Sequence, residues 1–149
     1  DYNFATERSQ HLMSLGIPLN TDSTLKGQTV FLAERCGELM QDNIITDRTV
    51  FDVMAFTMNA KSIPYQDKEA FETYASEFVR EYDYIFYISP HGIEIEDNGI
   101  RETDEHYRDL IDFTITTLIK RYGHKCNIVE KISGSTEERI QQILKFTNL

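Results

Sequence analysis

The feature that most constrains this chain is the stretch Asn43-Ile44-Ile45-Thr46-Asp47-Arg48-Thr49-Val50-Phe51-Asp52. A short apolar run ends abruptly in an acid–base pair, and a helical pattern starts within a few residues. A buried parallel strand delivers charged side chains to the carboxyl edge of a sheet in this way, and in open α/β sheets ligands bind in the crevice outside that edge. An Asp there can hold a metal ion or its water, and an Arg beside it can grip a phosphate through two parallel hydrogen bonds. The same residues also describe a plain helix N-terminus, with Thr46 or Asp47 as cap and Arg48 in solvent.

The chain on either side repeats the alternation. Residues 1–6 read as a short strand, followed at once by Glu7 and Arg8, and residues 6–15 as a helix stopped by Gly16. A helix capped by Asp22 or Ser23 runs to about Gln41, with Leu25, Thr29, Leu32, Cys36 and Leu39 on one face and Glu34, Arg35 and Glu38 largely on the other. After the strand at 43–47 come a helix over 50–59, a break at Ile63-Pro64, and a helix over 67–81 with Phe71, Tyr74, Ala75 and Phe78 inward. Tyr84 to Ile88 is continuously apolar and aromatic, as expected of a strand covered on both faces. A polar segment over 91–103 leads to a helix over 104–122, with Tyr107, Leu110, Ile111, Thr114 and Leu118 inward and Gly123 as its cap. Residues 126–132 form a further strand. Ser135-Thr136-Glu137-Glu138 is a capping box opening a last helix, with Ile140, Ile143, Leu144 and Leu149 inward. This order predicts one α/β domain over 1–149, a parallel sheet with helices on both faces.

Composition narrows the function. A net charge of -10 argues against general binding to nucleic-acid backbones. It leaves open a small phosphorylated ligand held by a local Arg cluster, and it favours basic protein partners. No apolar run approaches the roughly 20 residues that span a bilayer, and no secretory pattern opens the chain, so a cytoplasmic protein without membrane attachment is expected. Cys36 and Cys126 form no CxxC and read as two reduced, mostly buried thiols.

Two strand ends carry a carboxylate and an arginine, Glu7-Arg8 and Asp47-Arg48, and the two pairs can converge in one crevice. The loop from Glu94 to Glu105 partly matches a calcium-binding EF-hand loop, with Gly99 and Glu105 in register, but Glu94 and Arg101 depart from the pattern. A mobile loop presenting Arg101 to a transferring phosphate suits the α/β reading better, and a solvated acidic loop suits it equally simply. The histidines have no metal-ligand spacing, and neither cysteine has a catalytic context. Tyr82, Tyr84, Phe86 and Tyr87 read as core.

Asp47-Arg48-Thr49 followed by Asp52 resembles the Asp-Arg-Gly/Ser motif of P-loop nucleoside and nucleotide kinases, and is most similar to the ATPase/kinase-like family that includes ribosylnicotinamide kinase domains, many from bacteria and phages. The resemblance covers nearly the whole chain: a Glu-containing strand end, the Asp-Arg strand, the strand over 84–88, a lid-like loop over 91–103 with Asp97 and Arg101, a long helix and a last strand. It implies a three-layer αβα fold, ATP and Mg²⁺ as cofactors, and a small nucleoside, nucleotide or related metabolite as phosphate acceptor. It places Glu7 as general base, Asp47 at Mg²⁺ or its water, and Arg48 on substrate or phosphates. Arg8 and Asp52 fall on the substrate side, and Arg101 is the lid arginine that neutralises transferring charge. Gly134, Ser135 and Thr136 lie where such kinases contact adenine.

The sequence departs from that family in one respect. It contains no Gly-x-x-x-x-Gly-Lys-Ser/Thr, and that loop, with the first strand of the sheet, would lie immediately upstream of Asp1. The missing strand is central in that family, so its loss leaves buried backbone groups unpaired. The chain opens without an initiator Met, and the expectation is a fragment, a truncated product, or a sheet completed by another segment, inactive on its own. The alternative is a kinase-like scaffold acting non-catalytically through a protein partner or as a homo-oligomer.

Overall fold

Strands and helices alternate in the order β1 (Asn3–Ala5), α1 (Ser9–Ser14), α2 (Leu25–Glu38), β2 (Ile44–Thr46), α3 (Val50–Met58), α4 (Tyr65–Ser76), β3 (Tyr84–Ile88), α5 (Glu105–Tyr122), β4 (Ile128–Ile132) and α6 (Thr136–Thr147). The computed structural model describes residues 1–92 and 104–149. β1 pairs with β2 and β3 with β4, both in parallel. The parallel pairing follows the alternation in the sequence. The expected single sheet is divided, because among the described residues no ladder joins β2 to β3.

Local chemistry sets the helix starts. Thr49 accepts a hydrogen bond from Phe51 N (3.1 Å) while Asp52 Oδ2 accepts from Thr49 N (2.8 Å), a reciprocal cap that starts α3. Ser135 and Glu138 form the expected box ahead of α6. α2 is capped by Thr24, not by Asp22 or Ser23, because Asn20–Asp22 is a 3-10 turn and Ser23 is buried behind it. Gly16 ends the first helical segment at φ +83°, a left-handed conformation that suits glycine.

The core centres on α3. Val50, Phe51, Met54 and Ala55 are at most 1% exposed, and around them pack Leu32, Phe71, Ala75, Val79, Tyr82, Ile85, Tyr107, Ile111 and Leu118. Ile85 faces this core with its register partner Val129, while Phe86 on the other face of β3 meets Phe146 of α6. Helices therefore cover both faces of the β3–β4 ribbon.

Several inward assignments change. On α2 the buried face is Gln28, Leu32, Arg35 and Glu38, whereas Leu25 and Thr29 are exposed. The helix is rotated because Gln28 reaches α3, donating to Val53 O (3.3 Å) and Thr57 Oγ1 (3.1 Å), and because Arg35 has carbonyl acceptors to meet. Tyr74, Leu110, Ile140, Leu144 and Leu149 are exposed. Tyr84 and Ile88 are exposed as well, so β3 is not sealed on its second face. In α6 no residue is buried, since a single helix against a two-stranded ribbon cannot enclose a side chain.

Met54→Ala is expected to destabilise the fold by about 2–5 kcal/mol, and Met40→Ala, at an 87% exposed position, by less than about 0.5 kcal/mol. Urea unfolding checks this through a lower midpoint at unchanged slope for Met54→Ala alone.

Candidate functional site

Because β1 and β2 run parallel with Ala5 opposite Thr46, their carboxyl ends share one edge. Asp47 N donates to Ala5 O (2.9 Å), so Glu7-Arg8 and Asp47-Arg48 leave that edge side by side. The convergence expected of the two pairs is thus present in the backbone.

The turn after β2 is held from several sides. Thr46 Oγ1 donates to Arg48 O (2.9 Å), and Arg35 Nη1 donates to Asp47 O (2.9 Å) and Arg48 O (3.2 Å). Val50 N donates to the Tyr82 hydroxyl (3.2 Å). Arg48 sits at φ +78°, an uncommon conformation for a residue carrying a Cβ. With the backbone engaged, the Asp47 side chain is exposed, and the Arg48 guanidinium lies 5.6 Å from the centre of the Phe56 ring. This is a strand-end turn whose backbone oxygens face the protein, with the Asp47 carboxylate exposed and the Arg48 side chain half-buried over Phe56.

The companion residues have local partners. Glu7 Oε1 accepts from Ser9 N (2.6 Å) and from the Ser9 hydroxyl, which organises the entry to α1. Arg8 stands 3.7 Å from Glu34 of α2 and lines a groove between β1 and that helix. Asp52 is committed through Oδ2 to the α3 cap.

Past β4, Gly134 adopts φ +96° with its Cα against the Glu138 carboxylate, where a Cβ would collide. Ser133 is clamped by the Gln142 amide, which accepts from Ser133 N (3.2 Å) and donates to Ser133 O (2.7 Å). Ser135 and Thr136 then open α6. Gly134, Ser135 and Thr136 thus occupy the carboxyl edge of the second ribbon. Arg101 and Asp97 lie outside the described residues.

Four features of this region were not singled out from the sequence. Arg35 and Glu38 form a buried pair (3.1 Å), with burial pushing the Glu38 carboxyl up and Arg35 opposing it. Tyr82 caps α3, and burial raises its hydroxyl pKa. At the end of β3, the Tyr87 hydroxyl donates to Asp112 Oδ1, and His91 Nε2 stands 3.8 Å from Asp112 Oδ2. Arg35 and Glu38 lie one turn apart on α2; the other contacts cross between elements, so spacing alone could not have joined those residues. Burial raises both thiols, Cys36 and Cys126, which are free cysteines, in keeping with inert structural roles.

Among the described residues no group of three or more His, Cys, Asp or Glu side chains could hold a metal ion. A lone outward carboxylate suits Mg²⁺, which keeps several waters and binds through one or two carboxylates plus ligand phosphates. No described helix is long and apolar enough to cross a membrane.

Parallel βα units with strand ends on a shared edge define an α/β domain of the kind that receives ligands at that edge. The sequence model of the AAA domain family matches residues 14–139, and the chain belongs to that family, which is of the P-loop NTPase type with an αβα fold. Neither the curated proteins nor the solved structures provide a match.

Burial, and then the Asp112 carboxylate, push the Tyr87 hydroxyl up to about 12 from an ordinary 10.0. The native state therefore keeps a proton that the unfolded chain loses, so this residue's contribution to stability declines as pH rises from 10 toward about 12. Asp112→Asn is expected to move the Tyr87 titration back toward 10.0, read by NMR of labelled tyrosine rings.

Proposed function

We propose that this chain is most of a P-loop kinase-like domain that transfers phosphate from ATP to a small nucleoside, nucleotide or related metabolite. The observation that carries the reading is the strand edge where Asp47 and Arg48 follow β2 beside the end of β1, in a chain of the AAA domain family. Neighbouring parallel strand ends are where an open α/β sheet receives a ligand.

The residues take the following parts. Asp47 faces Mg²⁺ or one of its waters, and the metal supplies charge neutralisation on the phosphates. Arg48, its backbone immobilised, presents a planar fork to a phosphate or to the acceptor. Glu7 accepts the proton of the acceptor hydroxyl. Both Ser9 contacts fall on Oε1, so Oε2 is the oxygen this role uses. Arg8 and Asp52 border the acceptor side, with Asp52 acting chiefly through the cap that orients α3. Arg101 neutralises charge developing on the transferred group. Gly134, Ser135 and Thr136 contact adenine. The neighbouring Glu137 and Glu138 make that depression acidic, which suits a neutral base better than a phosphate.

Residues 1–149 contain no phosphate-cradling Gly-x-x-x-x-Gly-Lys-Ser/Thr loop. The reading therefore assigns them the metal, acceptor and lid side of the reaction, and the 149-residue chain alone is inactive. The proposed place of action is the cytoplasm.

Calorimetry with Mg·ATP tests this on the 149-residue chain and on a form extended upstream to its natural start. Binding by the extended form alone is expected, with phosphoryl transfer to a member of a nucleoside and nucleotide panel. Within that form, Asp47→Asn and Arg48→Ala are each expected to lower kcat by about 10²-fold or more. An extended form carrying an intact phosphate loop that neither binds ATP nor transfers phosphate would sink the reading.

A further inference from the structure

Arg35 is 3% exposed, as buried as Leu32 one turn before it. Burying a guanidinium is costly unless its charge and its donors are met, and Glu38, 3.1 Å away, supplies the opposite charge without accepting a hydrogen bond. The donors of Arg35 Nη1 go to two consecutive carbonyls, those of Asp47 and Arg48. Thr46 Oγ1 is the second donor to the Arg48 carbonyl, so both lone pairs of that oxygen are engaged from inside the protein. Between the two gripped carbonyls is the Arg48 Cα, at φ +78°. A residue with a Cβ persists in such a conformation only where its surroundings impose it.

We propose that Arg35 is a positioning residue for the strand-edge site: paired with Glu38, it holds the Asp47–Arg48 backbone in a left-handed turn and thereby fixes the directions in which both side chains leave it. The link to phosphoryl transfer rests on the function proposed above; the link to backbone conformation does not. A buried charged pair usually adds little to stability compared with apolar residues of the same size, which is consistent with a role in geometry for this one.

The test separates the two links. Arg35→Met/Glu38→Met removes both charges while keeping the volume, so the fold is expected to survive. In each background Arg48→Gly is compared with Arg48→Ala. Both lose the side chain, and only glycine is free of the left-handed strain. With Arg35 present, the glycine variant is expected to melt about 2–4 °C above the alanine variant. In the double-methionine background the turn relaxes and the difference falls to zero or reverses, because glycine then only adds freedom to the unfolded chain. An equal glycine advantage in both backgrounds overturns the proposal.

In the extended form, the double-methionine variant is expected to lose about 10–100-fold in kcat with the Kd for Mg·ATP changed less than about twofold, since a displaced turn misplaces reacting groups without removing the nucleotide's contacts. Arg35→Lys, which keeps the charge but not the fork, should fall in between. A kcat unchanged in a folded double-methionine variant also overturns the proposal, because a core-filling residue would shift only the melting temperature. If the unsubstituted extended form transfers no phosphate, the functional reading fails, and the melting comparison still decides the role of Arg35.

Discussion

Helix α3 has almost no solvent side, and the rest of the molecule is arranged around that constraint. Val50, Phe51, Val53, Met54, Ala55 and Thr57 are all buried, so neighbours are needed in every direction. An amphipathic helix can be satisfied by one partner; a helix apolar around most of its circumference cannot. α2, α4 and α5 all contact it, and polar groups fix the rotation: Gln28 of α2 reaches Val53 and Thr57, and Asn59 joins the Ala55 carbonyl to Thr114 of α5 (2.9 and 3.0 Å). The chain enters this helix through the turn at Asp47–Arg48. The ionic residues of the candidate site are thus fastened to the most enclosed element of the fold, which is where a site that depends on fixed geometry belongs.

The same arrangement explains how an acidic protein can offer a place to a phosphorylated ligand. The acids that would repel it have partners: Glu7 is held by Ser9, Asp52 by the backbone of Thr49, and Glu38 by Arg35. Asp47 is left outward, and a carboxylate there repels phosphate unless a cation stands between them. Arg8 and Arg48 lie on neighbouring strand ends, where each helps offset the surrounding charge. The strongly negative balance of the whole chain therefore says little about this edge.

Strand ends were legible in the sequence because Ile44-Ile45 stops so sharply at Asp47-Arg48, and the parallel pairing followed from strands separated by helices. Ser135 and Glu138 announced their capping box at a fixed spacing. Arg35 was not legible. Periodicity treats a charged residue as surface, and nothing local reveals that its acceptors are carbonyls twelve and thirteen positions away. Tyr74, Leu110 and Ile140 failed in the opposite sense: apolar side chains at helical spacing, yet exposed among the described residues. Asp52 was assigned to the substrate by its motif, and its carboxylate also closes the helix cap, two roles that spacing cannot separate.

The terminal helix carries a different lesson. α6 has no buried residue, packs on β4, sets Phe146 against Phe86 of β3, and grips Ser133 through Gln142. Free energy of local opening scales with the apolar area and hydrogen bonds a segment must give up. α6 gives up little, so it forms a separate low-energy opening unit, released well before the α3 core yields. Because Gln142 is what braces Ser133 ahead of Gly134, that turn loosens whenever α6 lifts. The two strand-end turns of this protein are therefore unequally anchored: the Asp47–Arg48 turn is tied to buried Arg35 and leads into α3, while the Ser133–Gly134 turn is tied to a helix with no buried residue.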